Sequence, residues 1–285
     1  MKRIIFALAA LLVALDAGAQ SLKILSKEVK QGELLVVRVN PGWQLPTACI
    51  LVEWKKVGNQ EYRLNNYGYA FIGVPLDVRQ GKYRIRLVEC GRRVMQSRDV
   101  DEFEVSSDKF PVTRTGGMSG KSSRPRKIIE LRAIKNAFSG INQLQPDLTG
   151  GLRYLDPLSS RDVIDPYGRI YLGSRKGHYG VDFRTSIGTS VASVNRGVVV
   201  LVANDYSKEG NMVIISHGLG IFAVYMHLSR IDVEQGELIE RGRIIGLSGD
   251  TGAGVREPHL HFNIKIYKDY IDPLKFIDTI NRYLD

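Results

Sequence analysis

The stretch HYGVDF at residues 178–183 gives the strongest indication of the fold and chemistry of this chain. In an extended strand successive side chains point to opposite faces, so His178, Gly180 and Asp182 share one face and the residues between them point to a core. Gly180 has no side chain and leaves space between two residues that can ligate a metal ion. The pattern predicts a strand with an imidazole and a carboxylate on its polar face.

A second stretch, HLHF at residues 259–262, has the same two-residue period. It points His259 and His261 to one face and buries the leucine and the phenylalanine. Together the two stretches supply imidazoles and a carboxylate, the ligands that zinc prefers, and three such ligands leave the fourth position free, as in catalytic zinc sites. A single His or Asp on a strand is usually structural, but two paired sets favour a metal site.

The histidines of the chain are few and clustered. There are five, and all of them lie between positions 178 and 261. His227, in YMHL, stands alone between the two paired sets. His217, in SHG, has no paired ligand nearby, and the pattern predicts that it stabilises a turn.

The sequence around these stretches, from Leu152 onward, alternates short apolar runs with many glycines. Such runs are typical of dense antiparallel hairpins, so the sequence predicts an all-β second domain whose loops end near the histidines. The predicted strands include residues 198–202, 212–215, 222–225, 244–247 and 259–266.

The first half of the chain, from Ser21 to about Val105, also has short apolar runs separated by turn residues. Tyr83, Ile85 and Leu87 alternate with basic residues, which puts apolar side chains on one face of the strand. Several such strands make a small sandwich. This half contains no His, and the sequence indicates no chemistry here.

The two cysteines, Cys49 and Cys90, both lie in strand-like contexts of the first half. An oxidising compartment permits a disulfide between them. Two buried free thiols are the alternative, because the sequence contains no information on the Cα separation. Neither belongs to a C-x-x-C pair, so a redox or zinc-knuckle role is not expected.

Residues 115–127 are rich in Gly, Ser and basic residues, which indicates a linker. The linker contains Gly120-Lys121-Ser122, which matches the end of a phosphate-binding loop. The glycine that such a loop requires five positions earlier is Thr115, so the linker interpretation is preferred.

A short helix is predicted after the linker. Ile128, Leu131, Ile134 and Phe138 follow one another at spacings of three and four. This spacing predicts an amphipathic helix over 128–138 that buries these four residues and ends at Gly140.

The N-terminus has the three-part layout of a secretory signal. Lys2 and Arg3 precede an apolar run over 4–15, and AGA at 17–19 forms an A-x-A cleavage site. The run is shorter than the roughly 20 residues that a membrane span needs, so a removable signal over 1–19 is predicted. No Cys follows the run, which argues against the lipoprotein variant of this signal.

Composition bounds the class of protein. Hydrophobic residues at 44% and charged residues at 25% exclude a mostly disordered chain, a coiled coil or a collagen-like fibre. Without the signal, the 285-residue chain is still longer than one ordinary domain needs, so two domains are expected. The formal net charge of +10 suggests an anionic neighbour, and for an exported protein that neighbour is the acidic cell envelope.

At its histidine motifs the sequence resembles the lysostaphin-like zinc endopeptidases, which cleave peptidoglycan peptides. The H-x-G-x-D element lies at 178–182, the Y-x-H-L element at 225–228 and the H-L-H element at 259–261. The likeness covers about residues 150–275. More weakly, the first half resembles the immunoglobulin-like domain that precedes some of these peptidases.

The resemblance implies a role for each motif residue. His178, Asp182 and His261 would hold Zn²⁺, which activates a water for attack on a peptide bond. His259 would take the proton of the water and later deliver it to the leaving amine. His227 would hydrogen-bond the water or the oxyanion that forms on the scissile carbonyl.

The resemblance also implies the architecture. We expect an all-β protein with a signal peptide at 1–19, an N-terminal immunoglobulin-like β-sandwich over 20–115, a linker with a short helix over 116–146, and a C-terminal antiparallel β-rich lysostaphin-like peptidase domain over 147–285. The expected activity is that of an exported zinc metallo-endopeptidase of the periplasm or cell envelope that hydrolyses peptide cross-links of peptidoglycan. Its expected partners are peptidoglycan peptides, and neither nucleic acid nor stable membrane insertion is expected. The sequence does not predict an oligomeric state.

Two other classes of function compete with the enzyme. A non-hydrolytic relative that binds and activates a cell-wall amidase would typically lose metal ligands, and this chain keeps all three. A carbohydrate-binding module would present aromatic platforms, but the chain has only two Trp, both in the first domain.

One departure from the family pattern is Glu257, where Gly is common. This residue is expected next to the substrate groove, so it bears on substrate preference. A D,D cross-link between stem peptides is the expected substrate, with pentaglycine bridges as the competing one.

Overall fold

The structure is a computed structural model that describes residues 22–40, 47–55, 58–91, 100–113, 124–172 and 177–284. The predicted signal peptide lies outside these residues, as does most of the predicted linker. Among the described residues, the helices are too short or too polar to cross a membrane.

The N-terminal part is built from short strands. They are β1 (Leu22–Ile24), β2 (Glu28–Lys30), β3 (Leu34–Val39), β4 (Ala48–Trp54), β5 (Gly58–Arg63), β6 (Tyr69–Gly73), β7 (Gly81–Glu89), β8 (Val100–Ser106) and β9 (Val112–Thr113). One sheet has the order β1-β3-β6 and another has the order β2-β8-β7-β4-β5. Tyr83, Ile85 and Leu87 are buried, which confirms their predicted face. The immunoglobulin-like relationship of this part stays a prediction.

The two cysteines form a disulfide, with Cα atoms 5.1 Å apart. Cys49 lies in β4, and Cys90 follows the adjacent strand β7, so the bridge links neighbouring strands. Leu51 and Val88 pack around it. The structure thus selects the disulfide from the two alternatives that the sequence leaves open.

The C-terminal part is dominated by one large sheet. Its strands and those next to it are β10 (Val163–Asp165), β11 (Ile170–Tyr171), β12 (Val181–Arg184), β13 (Ser190–Ala192), β14 (Gly197–Tyr206), β15 (Gly210–Gly218), β16 (Ile221–Ile231), β17 (Leu238–Ile239), β18 (Ile244–Ser248), β19 (His259–Ile266) and β20 (Asp269–Ile271). The main path runs β10-β12-β19-β16-β15-β14-β17, and all of its pairs are antiparallel. This confirms the predicted strand-rich second half.

The large sheet has two unlike faces. One face buries residues such as Val213, Tyr225 and Phe262 in the main core. The opposite face carries Met226, which lies across from His261 in the register of β16 and β19. Cross-strand partners share a face, so this second side of the sheet also carries the polar residues of β12 and β19. We call it the groove face.

The helices are α1 (Arg124–Ala137), α2 (Ile141–Leu144) and α3 (Pro273–Ile280). The predicted helix over 128–138 exists as α1, but it begins four residues earlier, and half of its predicted buried face is wrong. Phe138 and Ile134 pack on the groove face, whereas Ile128 and Leu131 are exposed. The first turns also contact β14 and the residue after it, but through polar groups, because Arg126 pairs with Asp205 and the buried Glu130 accepts hydrogen bonds from Ser207. The buried side of the helix is therefore not the apolar side that the spacing indicated.

Helix α3 was not predicted from the sequence. Asp272 caps it by accepting hydrogen bonds from the backbone of Leu274 and Lys275, and Pro273 occupies the first turn. An Asp-Pro pair before an apolar run is a known helix start, so the sequence did contain a signal for it.

The two parts of the chain share one hydrophobic core. A Cβ on Gly73 of β6 would lie 3.1 Å from Ile271 of β20. The rings of Tyr62 and Tyr267 meet edge to face with centroids 5.2 Å apart. These contacts fix the N-terminal sheets against the sheet that carries the histidine motifs.

Candidate metal centre and active site

The register of β12 and β19 brings the two histidine stretches together. Asp182 lies opposite His261, and Arg184 lies opposite His259. His178 stands just before β12, where its backbone N–H donates to the carbonyl of Arg169 and its carbonyl accepts from Gly168. Asp182 and His261 therefore share the groove face, whereas His178 lies three residues before β12 and not in the strand that the period-2 pattern predicts.

Three potential ligand atoms converge at this point. His178 Nε2 lies 3.0 Å from His261 Nδ1 and 3.3 Å from Asp182 Oδ1, and the last two atoms are 2.6 Å apart. Within the described residues, these three side chains are the group that could hold a metal ion. A tetrahedral zinc ion with bonds of about 2.0–2.1 Å separates its ligand atoms by about 3.3 Å. The separations of 3.0 and 3.3 Å are close to this value, whereas the 2.6 Å between His261 and Asp182 is a hydrogen-bond distance. Two imidazoles and a carboxylate nevertheless are the donor set that zinc prefers.

Hydrogen bonds orient the His178 ring for ligation. His178 Nδ1 donates to the carbonyl of Pro166 at 3.1 Å, which leaves Nε2 with the lone pair that a metal requires. Burial alone raises the pKa of Asp182, but the neighbouring imidazoles of His178 and His261 outweigh it and hold that pKa far below its usual value. The centre therefore contains a permanent carboxylate charge.

The two auxiliary histidines lie beside these ligands. The rings of His227 and His259 are 4.8 Å apart, and the His227 ring is 6.0 Å from the ring of His261. His227 Nδ1 donates to the carbonyl of Thr251 at 2.8 Å, and His259 Nδ1 donates to the carbonyl of Glu257 at 2.9 Å. In both rings the neutral form therefore has Nε2 as a free acceptor.

His227 is placed by a β-bulge. Tyr225 pairs with Val213 but Leu228 pairs with Asn211, so β16 contains one extra residue between them. His227 lies there with φ of 63°, a left-handed backbone that costs a non-glycine residue about 1–3 kcal/mol. A bulge re-aims side chains, which is why His227 reaches the site without a period-2 partner.

Gly180 has a different role from the one predicted. A Cβ there would lie 2.5 Å from the carbonyl oxygen of Phe262 and 3.0 Å from Nε2 of His261. The missing side chain thus leaves room for strand β19 and for the imidazole of His261, rather than directly for an ion. Asn263 also contacts this position.

A buried carboxylate next to the centre has no sequence pattern that marks it. Asp165 of β10 lies across from Asp182 and 3.9 Å from His178 Nδ1. It accepts a hydrogen bond from the hydroxyl of Tyr171 and forms an ion pair with Arg169 at 3.1 Å. Its neighbours in the sequence do not separate it from an ordinary strand aspartate, so only the strand pairing identifies it.

His217 lies apart from the centre, as predicted, but within β15 near its end rather than in a turn. It is 1% exposed, and its Nδ1 donates to the carbonyl of Arg196 at 2.8 Å. Its ring packs edge to face on Tyr154. Burial lowers the pKa of His217 to about 4, so the ring is neutral near pH 7.

Comparison with known proteins places this geometry in a family. The sequence model of Peptidase family M23 matches residues 176–273, a range that contains all the histidine motifs. The catalytic domain of lysostaphin from Staphylococcus simulans is 36% identical, over 40% of this chain and 89% of that domain, with a TM-score of 0.37. Residues 176–273 therefore form a domain of Peptidase family M23.

A relative named peptidoglycan DD-endopeptidase ShyA, from Vibrio cholerae, is 42% identical over 98 residues, which are 34% of this chain. Those residues span only 22% of the Vibrio protein. A putative M23 peptidase from Pseudomonas aeruginosa has the same fold over 87% of this chain and 94% of its own, with 24% identity and a TM-score of 0.64. That likeness includes the N-terminal part and concerns the fold alone.

Proposed function

We propose that the protein is an exported zinc-dependent endopeptidase that hydrolyses peptide cross-links of bacterial peptidoglycan. The observation that carries this proposal is the convergence of three ligand atoms beside two histidines that each present a free Nε2. Relatives named peptidoglycan endopeptidases support the substrate class. The signal-like segment at 1–19 and the net charge of +10 support a location at the anionic wall.

His178, Asp182 and His261 would hold the metal ion. A zinc ion bound there supplies Lewis-acid chemistry, because it lowers the pKa of water and polarises a carbonyl. The chain contributes two neutral imidazoles and one carboxylate, which leave one net positive charge on the occupied centre. That charge favours the carbonyl oxygen of a peptide.

His259 transfers the proton during the reaction. Its Nε2 lies 3.8 Å from Asp182 Oδ2, so the carboxylate stabilises the imidazolium that forms when the ring accepts a proton from the attacking water. The water oxygen bonds to the scissile carbon, the carbon–nitrogen bond breaks, and His259 returns the proton to the leaving amine. The products are a new carboxylate and a new amine.

His227 acts as a hydrogen-bond acceptor for the water. Burial and the neighbouring imidazoles of His261 and His259 lower the pKa of His227 to about 3, so it stays neutral near pH 7. Since its Nδ1–H is used by the carbonyl of Thr251, the free Nε2 accepts a hydrogen bond rather than donating one. Of the two roles that the family resemblance offers, this geometry favours contact with the water over contact with the oxyanion.

The proposal is tested with dimeric muropeptides and mass analysis of the products. The zinc-loaded protein should convert D,D-cross-linked dimers to monomers with intact glycan. Cleavage of pentaglycine with persistent dimers would contradict the substrate but keep the peptidase. Intact substrates combined with stimulation of a purified amidase would instead support the non-hydrolytic activator.

A pair of histidine variants separates chemistry from folding. His259→Ala should retain zinc and lose about 10²–10⁴ in rate, the usual contribution of a positioned base. His217→Asn changes a histidine outside the site and should keep the activity at pH 7. Unchanged turnover in His259→Ala would remove this residue from the mechanism.

A further inference from the structure

An arginine lies next to the proposed active site on the groove face. Arg184 is two residues beyond Asp182 on β12 and lies opposite His259 on β19. Residues two apart share a face and are about 6.5 Å apart along a strand. Arg184 is therefore the next groove-face position of β12 after the ligand pair formed by Asp182 and His261.

The guanidinium is held at this position by acidic neighbours. Arg184 Nη1 donates to Glu257 Oε2 at 2.8 Å, and Nε lies 3.4 Å from Asp162 Oδ2. About half of each side chain is exposed, so a ligand can reach them. A guanidinium has five N–H donors, and contacts at Nη1 and Nε leave donors for a third anion.

The position of Arg184 determines which residue of the substrate it contacts. His259 returns the proton to the leaving amine, so the residue that contains this amine lies on the His259 side of the scissile bond. Arg184 is the cross-strand neighbour of His259 on the same face. Its guanidinium therefore faces the amine-side residue of the substrate.

We propose that Arg184 is a specificity-determining residue that receives a free carboxylate on the amine-side residue of the cleaved cross-link. This inference rests on the proposed function and narrows its substrate class. When a diamino dicarboxylic acid forms a cross-link through one amino group, the carbon next to the scissile nitrogen has a free carboxylate. A glycine chain or a lysine cross-link has none. Charge-assisted bonds from a guanidinium to a carboxylate are among the stronger hydrogen bonds in proteins.

Glu257 sets the strength of this selection. Its side chain competes with the substrate for Arg184, whereas its backbone carbonyl holds Nδ1 of His259. The two functions use different atoms, so a change in the side chain tests the competition without removing the bond to His259.

The test uses two synthetic cross-link peptides that differ only in this carboxylate, which is free in one and a carboxamide in the other. The wild-type protein should cleave the acid peptide with kcat/KM about tenfold higher than the amide peptide. In Arg184→Gln this ratio should fall to within about twofold of unity. Arg86→Gln is the matched control, because Arg86 forms a similar exposed pair with Glu53 in the N-terminal part, and it should keep the wild-type ratio.

Glu257→Gln should move the ratio in the opposite direction, up by about twofold to fivefold, because a competing carboxylate is removed. Without turnover, the His259→Ala protein should bind the acid peptide more tightly than the amide peptide. The double variant with Arg184→Gln should bind the two peptides about equally. A wild-type ratio near unity, or equal loss on both peptides in Arg184→Gln, would overturn the inference and leave the proposed function standing. Failure of the wild-type protein to cleave either peptide or any muropeptide would remove the proposed function and this inference with it.

Discussion

Acidification should destabilise the protein through His217, the histidine outside the site. This ring is buried, its Nδ1 donates to Arg196, and its Nε2 is buried without a hydrogen-bond partner. A proton on Nε2 would place an uncompensated charge in the core, and burial accordingly lowers the pKa of His217 from 6.5 to about 4. The folded pKa lies below the unfolded one, so the unfolded chain binds the proton first.

The free energy of unfolding should therefore fall as the pH drops through 6.5 and should level off below about 4. The difference between 6.5 and about 4 in the pKa of His217 corresponds to about 3 kcal/mol. The measurement is urea unfolding of metal-free protein, followed by circular dichroism between pH 7 and pH 4. Other groups also titrate in this range, so the wild-type profile alone does not isolate one histidine.

His217→Asn provides the reference, because an Asn amide can donate to the carbonyl of Arg196 but does not titrate. At pH 7 the variant should be less stable by about 1–3 kcal/mol, since it leaves part of the ring volume empty. Between pH 7 and pH 4 the wild type should lose about 3 kcal/mol more than the variant. Parallel profiles, or an imidazole NMR titration of His217 near pH 6.5, would refute the reasoning.

Three further predictions concern the centre and the N-terminal sheets. Asp182→Ala should lose zinc on dialysis, because it removes the anionic ligand, and stoichiometric zinc in that variant would contradict the assignment. Gly180→Ala should weaken zinc binding by about tenfold or more, since its Cβ would meet the Phe262 carbonyl at 2.5 Å and displace the strand that holds His261; wild-type affinity in competition with a chelator would show that β19 adjusts. Replacing both Cys49 and Cys90 with Ser should lower the free energy of unfolding by about 2–4 kcal/mol while zinc content stays the same, and loss of the metal would show that the N-terminal sheets also hold the ligands in place.

Much of the candidate site could be predicted from the sequence, because strand periodicity is a local property. The two-residue spacing of His259 and His261 determines that they share a face wherever their strand lies. The same rule was applied to His178 and Asp182, but β12 begins only at Val181, so the segment before the strand brings His178 to the site. The same local rule predicted the buried side of β7. The spacing of Ile128 and Leu131 predicted a helix correctly but not its buried side, since burial depends on which side of the helix faces β14.

The tertiary structure decided whatever depends on pairing between distant strands. The antiparallel register places Asp182 across from His261 rather than one residue away, and a one-residue slip would have moved either side chain to the opposite face. The bulge in β16 brings His227 to the groove face, although its neighbour Met226 already points there. Such an irregularity arises from the pairing of β16 with β15, which no single segment encodes.

The same distinction holds for Asp165 and for the pair formed by Arg184 and Glu257. As single residues they are an ordinary strand aspartate, a strand arginine and a loop glutamate. Arg184 and Glu257 are 73 positions apart in the sequence, and the pairing of β12 with β19 brings them together. The sequence by itself determined which side chains could carry chemistry, because side-chain type and strand period are local. Only the tertiary structure decided which of them meet, because contact between distant residues follows from the register of the whole sheet.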